Sequence, residues 1–477
     1  NNTLGDYRNK QLVLKVKDQG ADVSIEEMGA EVEKKEMRGI ETMTVQVPWK
    51  AILRFSIPLF IGSLFQQIYS MADAVIVGRL VGVKELAGVG ATGAMSFLVI
   101  GFATGITSGF SVVIAQRAGA GDKEQIRTSA AACGWLCAAV TAVMTLLSTV
   151  GADPLLRLMN TPEDIFQYAS GYIGIIFGGL GAAIYYNMIA GILRAVGDSR
   201  TPLYFLIFSS VLNVVLDLAA VLVFHGGVEG AAAATVLAQL ASAVLCHWYA
   251  WRKYPDIWPE RRHWSQSLSQ GWKHLRIGLP MALQFSVTAV GIMILQAYLN
   301  GFGSAVIAGY TAAGKVENLV TQPFTTLAAA MEVYCGQNYG AGRPDRIRQG
   351  IVSSLKMGGA AALGMLVLNV CFGRQMIRLF LEPYDPVIVE YGYTYLVIIG
   401  VFSMALCALQ IVRSSLQGMG EALVPMAGGV LELAARWGGC ALLLPFGYAG
   451  ICFSTPLAWL LALTLLCLYY KKSREES

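Results

Sequence analysis

Charged residues are scarce in this sequence. Asp, Glu, Lys and Arg make up 14% of the 477 residues, whereas hydrophobic residues make up 55%. A soluble protein of this length needs more charge to cover its surface, so the expected solvent for most of the chain is lipid. The formal net charge of +4 is too small to indicate a nucleic-acid partner. The composition therefore predicts an integral membrane protein that does not bind nucleic acid.

Cysteine and histidine are too scattered to form a disulfide framework or a zinc site. The nine cysteines occur singly in apolar stretches, except for Cys133 and Cys137, whose spacing of four is typical of small core residues. The four histidines lie near span ends or in connections, and no H-E-x-x-H motif occurs. No metal centre and no enzymatic activity are predicted.

Two segments superficially match nucleotide-binding motifs. Gly88–Gly93 satisfies G-x-G-x-x-G, but no strand precedes it, and small residues at the start of an apolar helix favour close helix packing. Gly309–Lys315 matches most of a phosphate-binding loop, but Val316 follows it where magnesium coordination requires Ser or Thr. Neither a dinucleotide enzyme nor an ATP-driven pump is predicted, and no organic cofactor is expected.

Twelve apolar stretches follow one another from about residue 50 onward. Each is long enough to cross a bilayer as a helix, which needs about 20 residues. Their centres lie near Gln66, Phe97, Val140, Phe177, Val211, Leu240, Ala289, Thr321, Ala362, Val401, Val430 and Trp459. The predicted fold is an all-α integral membrane protein of twelve transmembrane helices.

Lysine and arginine are divided unevenly between the two sets of connections. With the N-terminus placed in the cytoplasm, the inner connections and the C-terminal end hold 18 of these residues, Arg413 among them, and the outer connections hold 5. Because cytoplasmic connections are enriched in positive charge, this bias predicts that both ends of the chain are cytoplasmic.

The two halves of the chain resemble each other at a spacing of about 221 residues. The matches lie in polar turns and keep register across six helices, which indicates a duplication. The matched stretches are Leu53–Pro58 with Leu275–Pro280, Ala115–Gly121 with Gly336–Gly342, and Gly197-Asp198 with Gly420-Glu421. Since six spans is an even number, both copies enter the membrane in the same direction, as two six-helix lobes related by a pseudo-two-fold axis along the membrane normal.

These features divide the chain into five parts. We predict a polar cytoplasmic N-terminal extension over 1–47, an N-lobe over 48–255, a cytoplasmic linker over 256–270, a C-lobe over 271–472 and a cytoplasmic tail over 473–477. A cleft between the two lobes is the expected path of a substrate.

Ionisable residues inside a span are costly unless they are paired or hydrated, so they are candidates for function. In the first repeat, Asp73 ends a polar stripe that begins at Gln66, and Asp217 follows Asn213 by four residues on one helix face. Thr235 in the sixth span can supply a hydroxyl. Carboxylate, amide and hydroxyl oxygens together suit a proton or a hard cation such as Na⁺. The alternative is that these groups only pair across helices to hold the lobe together.

The second repeat does not duplicate this acidic group. Glu432 and Arg436 are four residues apart, where they can pair directly. Lys315 and Glu317 precede Pro323, which predicts a kink in the eighth helix. The residues predicted to line a substrate cavity are Gln66, Tyr69, Asn187, Gln284, Thr288, Glu317 and Gln410.

The sequence resembles the multidrug and toxic compound extrusion (MATE) family, prokaryotic type, from Pro48 to Lys472. The resemblance rests on the first helix, Pro58–Gly78 with Asp73, on the turn Gln116–Gly121 with its copy Gln337–Gly342, and on Arg194–Pro202. It implies a secondary active antiporter of the plasma membrane (the prokaryotic inner membrane). Such a protein exports cationic or amphipathic organic compounds in exchange for protons or sodium, by alternating access of two lobes.

The resemblance also implies roles for individual residues. Prokaryotic members use a first-helix Asp with an Asn, an Asp and a Thr, and Asp73, Asn213, Asp217 and Thr235 match this set in type, order and spacing. Some members instead place carboxylates on the seventh and tenth helices. There this chain offers only Gln284, Thr288, Cys407 and Gln410.

The coupling ion stays open between H⁺ and Na⁺. Four side-chain groups are fewer than a sodium ion usually has as ligands, which favours protons, with sodium competing for the same oxygens. The alternative function is a lipid-linked oligosaccharide flippase of the same wider superfamily, and a third is a receptor or assembly protein without transport. We expect a monomer whose partners are small organic cations and the lipid bilayer.

Overall fold

A computed structural model describes residues 43–381 and 385–475 of the chain. Every regular element in these residues is helical, because a helix satisfies its own backbone hydrogen bonds inside lipid. Of the predicted N-terminal extension, residues 1–42 lie outside the described residues, as do the last two residues of the predicted tail.

The first half of the described chain forms six spans. Spans 1 to 6 are, in order, α1 (Pro48–Ile76), α2 (Val83–Ala91) with α3 (Gly93–Gly119), α4 (Lys123–Leu158), α5 (Glu163–Gly178) with α6 (Leu180–Ala195), α7 (Arg200–Leu222) and α8 (Gly227–Lys253). A π-helical turn, Val77–Val81, extends α1. The linker that follows contains a short helix, α9 (Arg261–Ser267), and a 3-10 turn, Leu268–Gln270.

The second half repeats this arrangement. Spans 7 to 12 are, in order, α10 (Gly271–Asn300), α11 (Ser304–Val320) with α12 (Gln322–Gly340), α13 (Pro344–Arg378), α14 (Pro386–Val401) with α15 (Ser403–Gly418), α16 (Leu423–Leu443) and α17 (Gly447–Glu475). A 3-10 turn, Leu444–Phe446, joins the last two.

Several of the spans are not straight helices. By length and apolar composition alone, eight helical stretches of the described chain can cross a membrane, and the bent spans 4 and 10, which turn by 44° and 54°, raise this to ten. One of the eight stretches, Leu423–Lys472, contains two spans, and span 8 is divided at Thr321, just before Pro323. The chain thus crosses the membrane twelve times in two lobes, and the predicted break in the eighth helix is confirmed.

Equivalent turns in the two lobes have the same backbone conformation. Gly121 and Gly342 have φ angles of 73° and 66°, and Gly197 and Gly420 have φ angles of 97° and 95°. These values lie in the left-handed region, which only glycine enters at little cost. The duplication inferred from the sequence is therefore also present in the backbone.

The bundle has two sides. We call the side with the start of α1 and the end of α17 the basal side, and the opposite side the distal side. Because each span reverses the direction of the chain, the turns after spans 2, 4, 6, 8 and 10 are basal. They comprise residues 120–122, 196–199, 254–270, 341–343 and 419–422.

The lobes touch backbone to backbone in the basal halves of spans 2 and 7. A Cβ atom built at Gly105 would lie 2.8 Å from the Cα atom of Ala282, and one at Gly109 would overlap the backbone of Gly278. Small residues at both positions permit this approach.

Spans 2 and 8 cross even more closely at their basal ends. A Cβ atom at Gly119 would overlap the carbonyl oxygen of Gln337, and a Cβ atom at Gly340 would overlap the carbonyl oxygen of Gln116. The two glycines lie in the repeated turns Ala115–Gly121 and Gly336–Gly342, so the crossing follows the pseudo-two-fold axis.

The side chains of the two glutamines bind the opposite lobe. Gln116 donates to the carbonyl oxygen of Gly418 at 3.0 Å, and Gln337 donates to the carbonyl oxygen of Ala195 at 2.8 Å. Each acceptor is a free carbonyl at the end of a helix, so each bond satisfies a helix terminus across the lobe boundary. The duplicated turn makes the same interlobe bond twice.

The segment that precedes α1 adds a third basal connection. The backbone N–H of Met43 donates to Oε1 of Gln337 at 2.6 Å, Arg343 donates to the carbonyl oxygen of Thr44 at 3.0 Å, and Arg346 donates to that of Gln46 at 2.5 Å. Met43 and Thr44 are buried. We call Met43–Gln46 the strap, and it closes the basal side together with the two glutamines.

Candidate ion-coupling site

Asn213, Asp217 and Thr235 meet in the interior of the N-lobe. Helix α7 carries Asn213 and Asp217 one turn apart, and α8, which packs along α7, carries Thr235. The Asn213 amide donates to the Asp217 carboxylate at 2.9 Å, and its oxygen lies 3.2 Å from both the hydroxyl and the backbone N–H of Thr235. All three side chains are buried, and Asp217 is 0% exposed. The structure therefore brings together three of the four residues predicted for the cation site.

Asp73 reaches the same cluster from α1. Its charge interacts with that of Asp217. Its Oδ1 atom is enclosed and has no hydrogen-bond partner among the described residues. An enclosed carboxylate oxygen without a donor is unfavourable in a low-dielectric interior. This atom is consequently a suitable position for a proton or a cation.

Two tyrosines complete the cluster. Tyr69, one turn before Asp73, has its hydroxyl close to that of Thr235. Tyr172 of α5 lies close enough to Asp73 and Asp217 for their charges to act on its hydroxyl. The sequence analysis named Tyr69 as a cavity residue and missed Tyr172, because no spacing in span 4 distinguishes it from other aromatic residues.

The remaining first-lobe cavity candidates lie near this cluster or on a neighbouring span. Gln66 is exposed and shares a face of α1 with Tyr69 and Asp73, because residues three and seven positions apart lie on the same side of a helix. Asn187 is half-buried on α6. Gln66 is therefore available to a ligand that approaches the acidic group.

A second buried charge cluster lies in the C-lobe. Glu432 accepts from Arg413 at 2.8 Å and from Arg436 at 3.1 Å. The predicted pairing of Glu432 with Arg436 is confirmed. Arg413, which the sequence analysis assigned to a basal connection, lies inside α15 instead, where its guanidinium reaches the Glu432 carboxylate. One carboxylate between two guanidinium groups makes this cluster net positive, unlike the acidic group of the N-lobe.

The other charged candidate of the C-lobe is hydrogen-bonded within its own lobe. Tyr395 donates to Oε2 of Glu317 at 2.8 Å, and the ring of Tyr310 packs against that of Tyr395 at 4.8 Å between centroids. Glu317 is thus held by the tenth span rather than by Lys315 two residues before it.

Two of the three uncharged candidates of the C-lobe are also hydrogen-bonded within that lobe. Gln284 is buried and accepts from Gln417 at 2.8 Å, and Thr288 donates to the backbone oxygen of Gln284 at 3.0 Å. Gln410 is half-buried on α15. The described contacts of Gln284 and Thr288 are within the C-lobe, so the structure does not join them to Asp73 and Asp217.

A basal carboxylate, Asp198, links spans 4, 5 and 6. It accepts from the backbone and hydroxyl of Thr201 at 2.9 and 2.6 Å, from Tyr254 at 2.5 Å and from Lys253 at 3.1 Å. Burial alone would raise the pKa of Asp198, but the hydrogen bonds from Thr201, Tyr254 and Lys253 outweigh burial and hold its pKa below the ordinary value. Asp198 therefore has a structural role at the basal turn.

The arrangement of lobes and site can now be compared with known proteins. The family model MatE matches residues 58–219 and 280–433, which cover most of both lobes. The chain belongs to the MATE family. It is therefore a membrane transporter and not an enzyme.

Relatives of this MATE transporter span most of its length. YpnP of Bacillus subtilis, a probable multidrug resistance protein, is 28% identical and covers 90% of this chain and 96% of its own length. The probable multidrug resistance protein NorM of Thermotoga maritima is 26% identical, with coverages of 79% and 81%. An FAD transporter of Shewanella oneidensis is 23% identical, with coverages of 73% and 78%.

Solved MATE structures have the same fold. A multidrug resistance MATE family transporter of the MOP superfamily, in an outward-facing conformation, superimposes with a TM-score of 0.84. It is 24% identical, and the match covers 92% of this chain and 98% of that one. The two-lobe architecture with twelve spans is therefore shared.

Glu432→Gln removes the negative charge between the two arginines of the C-lobe. We expect it to lower the free energy of unfolding by about 3 kcal/mol or more, because buried guanidinium groups are left without a counter-charge. The measurement is the thermal unfolding temperature in detergent. The control is Glu390→Gln, which breaks an exposed pair with Arg374 of 2.8 Å and should change stability by about 1 kcal/mol or less. Equal effects of the two substitutions would contradict a supporting role for the buried cluster.

Proposed function

We propose that this MATE transporter is a secondary active antiporter that exports cationic or amphipathic organic compounds in exchange for protons or sodium. The names of YpnP and NorM as probable multidrug resistance proteins support drug efflux. The FAD transporter of Shewanella oneidensis is also a relative, so the names of the relatives do not point to one kind of substrate. The proposed preference for cations therefore rests on this chain's own site. Two carboxylates inside the N-lobe attract positive charge.

The observation that carries the coupling role is the state of Asp73. Its Oδ1 has no donor among the described residues, although it is enclosed and lies near Asp217, which is fully buried. Two carboxylates repel each other strongly in a low-dielectric interior. A proton on one of them, or a cation between them, relieves this repulsion, and its arrival or departure changes how firmly α1 is held to α7.

The contacts within the cluster favour protons over sodium. Asp73, Asp217, Asn213 and Thr235 supply four side-chain groups, but the oxygen of Asn213 already contacts Thr235, and the Thr235 hydroxyl donates to the carbonyl oxygen of Ala231. Fewer oxygens are therefore free for a metal ion than the residue list suggests. Sodium competes for the same carboxylates when backbone or water oxygens complete its coordination.

The placement of the interlobe contacts supports alternating access. We place the basal side in the cytoplasm of a cell bounded by the plasma membrane, because 17 Lys and Arg residues remain in its connections and C-terminal end once Arg413 is excluded, against 5 on the distal side. The closed basal side then corresponds to an outward-facing state. Export requires a second state in which the bonds of Gln116 and Gln337 to the opposite lobe are broken.

Asp73→Asn and Asp217→Asn should each reduce coupled export by roughly tenfold or more, because the site loses the charge that responds to the ion. Both variants should still bind an organic cation and elute as a single species, since amide and carboxylate have similar size. The measurement is efflux of a fluorescent cation from vesicles together with binding by the purified protein. Glu229→Gln, an exposed carboxylate on the same helix as Thr235, is the control and should export normally. Loss of folding in both Asp variants would show that the residues are structural.

The coupling ion is tested by export at fixed external pH with sodium replaced by choline. We expect export to continue in choline and to stop when the pH gradient is dissipated, because a proton suffices to relieve the repulsion between Asp73 and Asp217. Export that stops without sodium while the pH gradient is intact would assign the coupling to sodium.

A further inference from the structure

A groove with a volume of about 540 Å³ opens on the basal side between the starts of α1 and α7. Three cations line it together with an aromatic and two aliphatic side chains, all of them exposed. These residues are Trp49, Lys50, Leu53, Arg54, Ile57 and Arg200. The described lining of the groove therefore carries three positive charges and no acidic side chain.

The three cations come from two helices. Lys50 and Arg54 lie one turn apart on the same face of α1, which separates their Cα atoms by about 6 Å along the axis. Arg200 begins α7, on the other side of the groove. Cations that converge from two directions suit a phosphate group, and guanidinium groups bind phosphate through more than one oxygen.

An exposed apolar stripe continues from the groove along α1. Trp49, Leu53, Ile57, Ile61 and Phe65 recur every four residues, and each is between 37% and 49% exposed. The stripe runs from the basal end of the helix toward the middle of the membrane. Tryptophan is enriched at the level of lipid headgroups, and aliphatic side chains below it contact acyl chains.

We infer that this groove binds one anionic phospholipid. The phosphate lies among Lys50, Arg54 and Arg200, and an acyl chain follows the apolar stripe, as in basic pockets between membrane helices that bind lipid headgroups. A free phosphate would use the cations but not the stripe. The site goes beyond the proposed antiport, and it does not depend on which ion drives transport.

The groove also adjoins the strap. Gln46 lines the groove, and its carbonyl oxygen accepts from Arg346 of the C-lobe at 2.5 Å. A bound lipid therefore sits beside one of the basal connections between the lobes.

Native mass spectrometry of the full chain in detergent tests the site, with phosphatidylglycerol and phosphatidylcholine of identical acyl chains as probes. Each cation near an anionic headgroup strengthens binding about fivefold, so three account for roughly a hundredfold. We expect Lys50→Gln/Arg54→Gln/Arg200→Gln to weaken phosphatidylglycerol binding by this factor. Phosphatidylcholine binding should weaken much less, because the choline cation offsets the charge of its phosphate, so the preference for phosphatidylglycerol is lost. If the triple variant does not purify as a single species, the single variant Lys50→Gln replaces it. Its affinity for phosphatidylglycerol is expected to fall about fivefold.

The control removes three exposed basal cations outside the groove, by Lys273→Gln/Arg276→Gln/Arg348→Gln. Arg276 is the repeat partner of Arg54, and the control should keep the preference for phosphatidylglycerol. The inference is overturned if the groove variants keep this preference or if the control loses it equally. It is also overturned if glycerol 3-phosphate binds as tightly as phosphatidylglycerol, since the groove would then be a site for free phosphate.

Discussion

The backbone crossing of spans 2 and 8 is the constraint on which the rest of this structure depends. Gly119 and Gly340 each meet a carbonyl oxygen of the opposite lobe so closely that no side chain fits between them. This approach positions Gln116 and Gln337 to bond across the boundary, and it brings the basal turn after span 8 to the strap. In the described residues, the basal ends of the lobes are joined by these contacts. Breaking them together would let the basal side open, as a two-state transporter requires.

The duplication makes the lobes alike at this crossing and leaves them different in their interiors. The N-lobe contains two carboxylates, Asp73 and Asp217, without a described cationic partner, whereas the C-lobe neutralises Glu432 with two arginines. Under the proposed antiport, the N-lobe is therefore the half that responds to an ion. Asp73 lies on α1, which follows the strap directly, so a change at the acidic cluster has a short path through one helix to the basal contacts.

Much of this account could be predicted from the sequence, because it depends on local patterns. Apolar length indicates the spans, Pro323 indicates the break in span 8, and the spacing of Asn213 and Asp217 indicates a shared helix face. Tyr172 was missed and Arg413 was wrongly placed in a basal connection, because their roles come from contacts between distant spans. The repeated Gln116 and Gln337 marked the duplication, but their bonds to Gly418 and Ala195 depend on how closely two helices cross, which no linear pattern encodes.

The most direct test of the account measures distances across both ends of the lobes by paired spin labels, after the exposed Cys371 and Cys467 are replaced by serine. A Cβ atom at Gly119 cannot fit the closed crossing, so Gly119→Ala should lengthen the basal distance by several ångströms and shorten the distal one. Gly364→Ala, where space is open, should change neither. The basal labels replace Arg252 and Arg348, and the distal labels replace Leu158 and Leu379. Lobes that keep the wild-type basal distance in Gly119→Ala, or that separate at both ends, would contradict the account.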